Sequence, residues 1–253
     1  MNYDAFMEPL TFFLTGMEKH SEFRREDLWQ NGPAFFHTMA EAMCRLPTVS
    51  LQCAMNELSN HDHSRFLTRT NGQVGRVETA GSAAAGAGVS KAVLRAAVLV
   101  QMTWPGAPTI YYGDEAGVVG WTDPDNRRTY PWGREDRDLI ALHRALIALR
   151  GRLSLLKCGS VQPVAAGTGY IAYARFDSTH LALIVCNNLD RFQDLTLPLA
   201  DVGVPDGTGV DCIFRTDEEG FSDARAAAGA VRDGVLLLRA AAHSAAVYLP
   251  DRA

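Results

Sequence analysis

At 253 residues the chain is long enough for one large domain or two ordinary ones, and 47% hydrophobic with 21% charged residues is the make-up of a soluble globular protein. A formal net charge of −5, with basic clusters no longer than Arg127-Arg128, excludes the electrostatic footprint of a nucleic-acid binder, and no stretch approaches the ~20 apolar residues of a membrane span. Five cysteines (Cys44, Cys53, Cys158, Cys186 and Cys212) are odd in number and include no C-x-x-C pair, so they are expected as reduced, mostly buried thiols in a cytoplasmic setting.

Met1-Asn2-Tyr3-Asp4 lacks the basic start of a signal peptide. A helix is predicted over 33–47, where Phe36, Met39, Ala40 and Met43 recur at the spacing of one core-facing stripe, with Pro47 as its stop. Residues 50–58 then read as a strand delivering Asn60-His61-Asp62-His63-Ser64-Arg65 to its mouth. Loops at strand ends commonly carry function, although an isolated His-Asp pair is also an ordinary turn. The Gly-, Ala- and Ser-rich stretch 71–90 reads as a long loop, which in a compact domain usually serves a site. A second helix fits 89–102, followed by the β-favouring run Gly106–Glu115, a polar loop from Val118 to Gly133, and a third helix over 135–151. Two strand-loop-helix units in series imply a parallel α/β sheet or barrel with functional groups at the strand C-terminal ends.

From about 153 the period shortens. Segments 170–176, 181–187, 192–197, 210–214, 235–238 and 245–249 are strand candidates separated by turn residues, the rhythm of an antiparallel β-sandwich. The division is therefore an α/β part over 1–152 and an all-β part over 153–253.

Asn60-His61-Asp62, then Gly106-Ala107-Pro108-Thr109-Ile110-Tyr111-Tyr112-Gly113-Asp114-Glu115, then Asp123-Pro124-Asp125-Asn126-Arg127-Arg128-Thr129-Tyr130-Pro131-Trp132, together resemble the α-amylase family of glycoside hydrolases (family 13), most closely its neopullulanase and cyclomaltodextrinase group. The resemblance implies the C-terminal part of a (β/α)8 TIM barrel, about strands 6–8 with Met1-Asn2-Tyr3 in the sixth, followed by the family's C-terminal β-sandwich domain. It also implies that the nucleophilic Asp and the acid/base Glu lie upstream of Met1, so the chain is expected to be a C-terminal fragment, inactive alone.

On that resemblance Asp62 is the transition-state-stabilising carboxylate and His61 its neighbour that donates to a glucose hydroxyl, with Asn60 beside them. Asp123 and Arg127 match the clamp on the next sugar; without the family they would read as an Asp-Pro turn and a solvated Arg. His63 is expected as a loop residue, Arg65 either as an orienter of loop carboxylates or a surface ion pair, and Glu115 as paired inside the barrel. Trp121, Tyr130 and Trp132 could stack on sugars or pack in the core, and for Phe6, Phe12, Phe13 and Trp29 helical core is the default. The implied partner is an α-glucan oligosaccharide or polysaccharide, with neither nucleic acid nor membrane, and the full-length parent could be a homodimer. No cofactor is implied by these residues, calcium being a possibility only for the missing N-terminal part. A non-catalytic sugar-binding or structural member of the family is the alternative.

Overall fold

The computed structural model describes residues 1–251. After a wide turn at Tyr3–Met7 comes α1 (Glu8–Thr15), which ends at Gly16 in the left-handed conformation that L side chains resist. α2 (Gly32–Met43) is capped by Asn31, whose side chain accepts from the Ala34 amide at 3.0 Å. It stops short of Pro47.

The expected strand over 50–58 divides: Thr48–Cys53 is α3, and only Met55–Glu57 is β1. Pro47 has an extended backbone and its carbonyl accepts from the Leu51 amide, so a helical turn starts directly after the proline, where a missing N–H is not needed. Ser50-Leu51-Gln52-Cys53 does alternate polar and apolar, but no residue of α3 is buried, so the alternation has no core to face. α4 (Phe66–Arg69) follows the polar turn, and the expected long loop at 71–90 contains α5 (Val77–Ala80) and a 3₁₀ turn at Ser82–Gly86. α6 (Lys91–Thr103), capped by Ser90, is buried along almost its whole length. β2 (Ala107–Thr109) pairs in parallel with β1, Met55 opposite Ala107 and Glu57 opposite Thr109. The Asn2 amide donates to the Met55 carbonyl at 2.9 Å, so the N-terminus lies along β1 without forming a strand. α7 (Arg137–Arg152) starts at Asp136, which accepts from the Leu139 amide, and α8 (Ser154–Cys158) is a short continuation.

The second half is antiparallel throughout. It comprises β3 (Ser160–Gly167), β4 (Tyr170–Phe176), β5 (Leu181–Asn187), β6 (Gln193–Pro198), β7 (Gly209–Thr216), β8 (Phe221–Ser222), β9 (Ala226–Ala230), β10 (Val235–Ala240) and β11 (Ser244–Pro250). One sheet runs β3-β4-β5-β11-β7-β8 with β9 also on β7, and β6 pairs with β10 apart from it. β3, β8 and β9 were not expected. β3 holds Pro163 at a register shift, which an edge strand tolerates, β9 is alanine and glycine, and β8 has only two residues.

The large sheet is buried on both faces. Ile171, Tyr173, Ile184, Cys186 and Val247 face the helices, while the alternate residues Ala172, Leu183, Val185, Ala246 and Tyr248 face β6 and β10. One apolar core therefore crosses the 152/153 joint. Trp104 meets the Tyr173 ring edge-on at 4.9 Å, and the Tyr173 hydroxyl lies 2.6 Å from Thr103 Oγ1. Arg175, fully buried on β4, donates to the carbonyls of Thr103, Leu155, Leu156, Gly159 and Ser160, so it completes the ends of α6 and α8. The cysteines correct the expectation of mostly buried thiols: all five are free, but Cys44, Cys53 and Cys158 are exposed.

Candidate active site

β1 ends into a turn built on Asn60. Its Oδ1 accepts from the amides of Asp62 (2.9 Å) and His63 (3.1 Å), and its Nδ2 donates to Glu57 Oε1 (2.9 Å) and to the Tyr3 hydroxyl (3.1 Å). With the amide saturated and 3% exposed, Asn60 shapes the turn and has no polar atom left for a ligand, unlike the binding role expected of it. His61 and Asp62 are turned outward, His61 Nε2 3.4 Å from Asp62 Oδ1, each side chain about half exposed (56% and 50%).

The 122–127 loop holds this turn through backbone. Thr122 Oγ1 donates to the Asp62 carbonyl at 2.7 Å, and Asn126 Nδ2 donates to the carbonyls of Asn60 (3.0 Å) and His63 (2.6 Å). Arg127 Nε donates to the His61 carbonyl at 3.0 Å and lies 2.8 Å from Asp123 Oδ1. Because the Thr122 hydroxyl spends its proton on Asp62, His20 Nδ1, 2.8 Å away, carries the hydrogen of that contact. Gly120 allows this fold-back: a Cβ there would stand 2.5 Å from the Asp125 carbonyl oxygen.

A second tier lies beneath. Arg65 is fully buried and donates to Asn126 O (2.8 Å), Tyr112 O (2.7 Å) and Asp114 Oδ1 (2.9 Å), with the Tyr111 ring centroid 4.1 Å from its guanidinium carbon. Burial pushes the Asp114 carboxyl up from its usual range, against the pull of Arg65. Burial likewise raises the Glu57 carboxyl, against its bond from Asn60. His63 is packed between His20 (centroids 4.7 Å) and Tyr3 (5.1 Å), and burial, followed by the charge of Arg69, lowers its pKa to about 3. The rim thus presents two half-exposed pairs, His61 with Asp62 and Asp123 with Arg127, to solvent.

Residues 5–147 match the family described as alpha amylase, catalytic domain. The chain belongs to the α-amylase family. It is similar to neopullulanase 2 of Thermoactinomyces vulgaris, 33% identical over 87% of this chain and 32% of that protein. It is also similar to the amylopullulanase of Thermoanaerobacter thermohydrosulfuricus, 31% identical over 82% of this chain and 14% of that one. The crystal structure of the debranching enzyme from Nostoc punctiforme superposes on 99% of this chain and 47% of its own, with a TM-score of 0.72 at 24% identity, which shows a shared fold. The chain spans less than half the length of each of these relatives.

Within this α-amylase family chain, the structure brings His61, Asp62, Asp123 and Arg127 to one rim and turns His63, Arg65 and Trp121 inward. His63 lies in the loop between β1 and α4 as expected, but with its side chain buried. Arg65 resolves to the orienting role, with no surface ion pair, and its partner is Asp114; Glu115 instead accepts from the Gly113 amide at 2.8 Å. Trp121 is fully buried and donates to the Gly81 carbonyl at 3.0 Å, whereas Trp132 is 81% exposed beside Tyr130. Phe6 and Phe13 are core, and Trp29 is exposed under Arg24.

Tyr3, His20, Thr122 and Asn126 were missed as site-building residues. Asn126, inside the Asp123–Arg127 spacing, and Tyr3, in the segment matched to the sixth strand, carried a signal in sequence. Among the described residues no three His, Cys, Asp or Glu side chains converge to hold a metal ion, and no helix is long and apolar enough to cross a membrane.

Proposed function

We propose that the chain is the C-terminal part of a retaining α-glucan hydrolase or transglycosidase, acting on α-1,4 or α-1,6 bonds of maltooligosaccharides, cyclodextrins, pullulan or starch. In this reading β1 and β2 are the seventh and eighth strands of a (β/α)8 barrel, the Asn2 segment lies at the sixth, and residues 153–253 are the sandwich domain. Retaining cleavage needs a nucleophilic carboxylate and a carboxylic acid about 5–5.5 Å apart. The carboxylates behind Asp62 are committed elsewhere, Glu57 to Asn60, Asp114 to Arg65 and Asp125 to Arg128. Those two roles fall to strands outside this chain.

Asp62 then accepts from hydroxyls of the sugar being cleaved, a bond that shortens as the ring flattens toward an oxocarbenium ion and so favours the transition state over the bound substrate. Its negative charge also helps keep a nearby general acid protonated. His61 donates to a hydroxyl of the same sugar. Asp123 accepts from, and Arg127 donates to, the sugar one step toward the non-reducing end.

The observation that carries the reading is that one backbone clamp fixes both pairs, half-exposed, on a single rim. In the polypeptide that joins this chain to its remaining strands, Asp62→Asn is expected to lower kcat by on the order of 10³ with the melting temperature unchanged. Wild-type turnover in that variant would remove Asp62 from the chemistry. The pairing of both rim carboxylates, Asp62 with His61 and Asp123 with Arg127, suits the binding of hydroxyls as well as chemistry and favours a second reading, a member that binds sugar without cleaving it. That reading expects maltooligosaccharide binding and no turnover even in the joined polypeptide.

A further inference from the structure

The segment between α1 and α2 forms part of the rim's wall. Residues 17–24 close on themselves through the antiparallel bridge of Met17 with Arg24, and Glu18 Oε2 accepts from the His20 amide at 2.8 Å. The segment is fastened just beyond the His61-Asp62 pair, where the Lys19 carbonyl accepts from the Ser64 amide at 3.0 Å and from the Ser64 hydroxyl at 2.9 Å. His20 is thereby carried to the place where the 60–63 turn meets the 122–127 loop. Its Nδ1 lies 2.8 Å from Thr122 Oγ1, and its ring stands edge-on to that of His63.

The contact with Thr122 decides what the other ring nitrogen does. Thr122 has a single hydroxyl proton, and the Asp62 carbonyl, which can only accept, takes it at 2.7 Å. His20 Nδ1 therefore carries a hydrogen, and in the neutral ring the lone pair lies on Nε2. Among the described residues Nε2 has no hydrogen-bond partner, and it is not buried, so it opens to solvent. His143 in α7 makes the contrast: its Nδ1 is paired with the Leu139 carbonyl and the whole residue is buried. His20 is held as firmly, through its backbone, its Nδ1 and its ring, yet leaves one polar atom free at the rim. Little rotamer freedom remains to be lost when a ligand meets that atom.

The surroundings select the ligand. Lys19 and Arg127, on the two sides of the ring, are matched by Glu8 and Asp123, and the Asp62 carboxylate is half exposed, which favours a neutral ligand over an anion. A hydroxyl can donate to the bare Nε2 and can equally accept from it when the ring is charged, so it suits both protonation states.

We propose that His20 is a further substrate-binding residue of this rim, its Nε2 accepting a hydrogen bond from a hydroxyl of the glucan held by Asp62 and Asp123. The proposal rests on the sugar-binding reading of the rim given above. It gives the 17–24 segment, which lies outside all three sequence motifs, a part in holding substrate.

The test uses the polypeptide that joins this chain to its remaining strands, carrying Asp62→Asn so that maltotriose persists during calorimetric titration. An Asn side chain places its amide near the position of Nδ1, and a Gln places it near that of Nε2, so the two variants separate the strut to Thr122 from the ligand-facing atom. His20→Asn is expected to weaken maltotriose binding about tenfold with the melting temperature unchanged, and His20→Gln to recover most of that affinity while losing the bond to Thr122. Circular dichroism checks that both variants fold. Undiminished affinity in His20→Asn, or an equal loss in both variants, would make His20 a strut alone and overturn the proposal while the sugar-binding reading stands. No maltotriose binding by the Asp62→Asn parent, in which His61, Asp123 and Arg127 are intact, overturns both.

Discussion

His63 adjoins Asp62 in sequence but faces the opposite way, against Tyr3 and His20. Its folded pKa of about 3 lies below the ordinary 6.5 because burial and the Arg69 charge oppose protonation. Between those limits the unfolded chain binds the extra proton. Stability from this residue is therefore complete above about pH 6.5 and is lost as pH falls toward 3, by at most about 1.4 kcal/mol per pH unit. His63→Phe is expected to show a shallower fall in melting temperature between pH 6.5 and 4.5 than the wild type; parallel curves would mean that His63 does not titrate as a buried group. The outward pairs were expected from the resemblance of their motifs, the residues alone fitting ordinary turns as well, whereas the burial of His63 was not legible, since its neighbours come from segments 43 and 60 residues away.

At the scale of elements, the joint between helices and sandwich turns on Arg175, whose donors end on carbonyls of α6, of α8 and just beyond. Arg175→Met leaves several buried acceptors without partners, a loss of about 3 kcal/mol or more, and should lower the melting temperature by about 6–12 °C. Arg175→Lys, with three donors and no fork, should recover only part of that; a melting temperature within 1–2 °C of wild type in the Met variant would show that water or relaxation satisfies those carbonyls. Sequence periodicity located α2, α6, α7 and the central strands β4, β5 and β11, because each buries a regular stripe or an unbroken apolar run. It could not locate β3 and β9, where pairing comes from a neighbour's edge, β3 being interrupted by Pro163 and β9 holding only alanine and glycine. Nor could it separate α3 from β1, since six mixed residues after a proline fit either state and tertiary contact decides.

For the whole molecule, the exposed side chains of Tyr112, Trp132 and Ile147 and the open edge that β2 has among the described residues present apolar surface and unpaired backbone to solvent. The chain expressed by itself is expected to bind a hydrophobic dye, to aggregate above micromolar concentrations, and to release no product from maltooligosaccharides, cyclodextrins or pullulan. Steady turnover by the purified chain would overturn the assignment of the two missing carboxylates to other strands.

The Thr103-Trp104-Tyr173 contact also bears on how such genes can be recombined. A crossover at the 152/153 joint would separate Tyr173 from the threonine and tryptophan it was selected with, so hybrids cut there should express poorly. A cut among the exposed residues 81–83 leaves that contact whole, provided Gly81 is kept, since its φ of +79° is one that L side chains resist. A hybrid cut there inherits α6, β2, α7 and the sandwich as one matched unit.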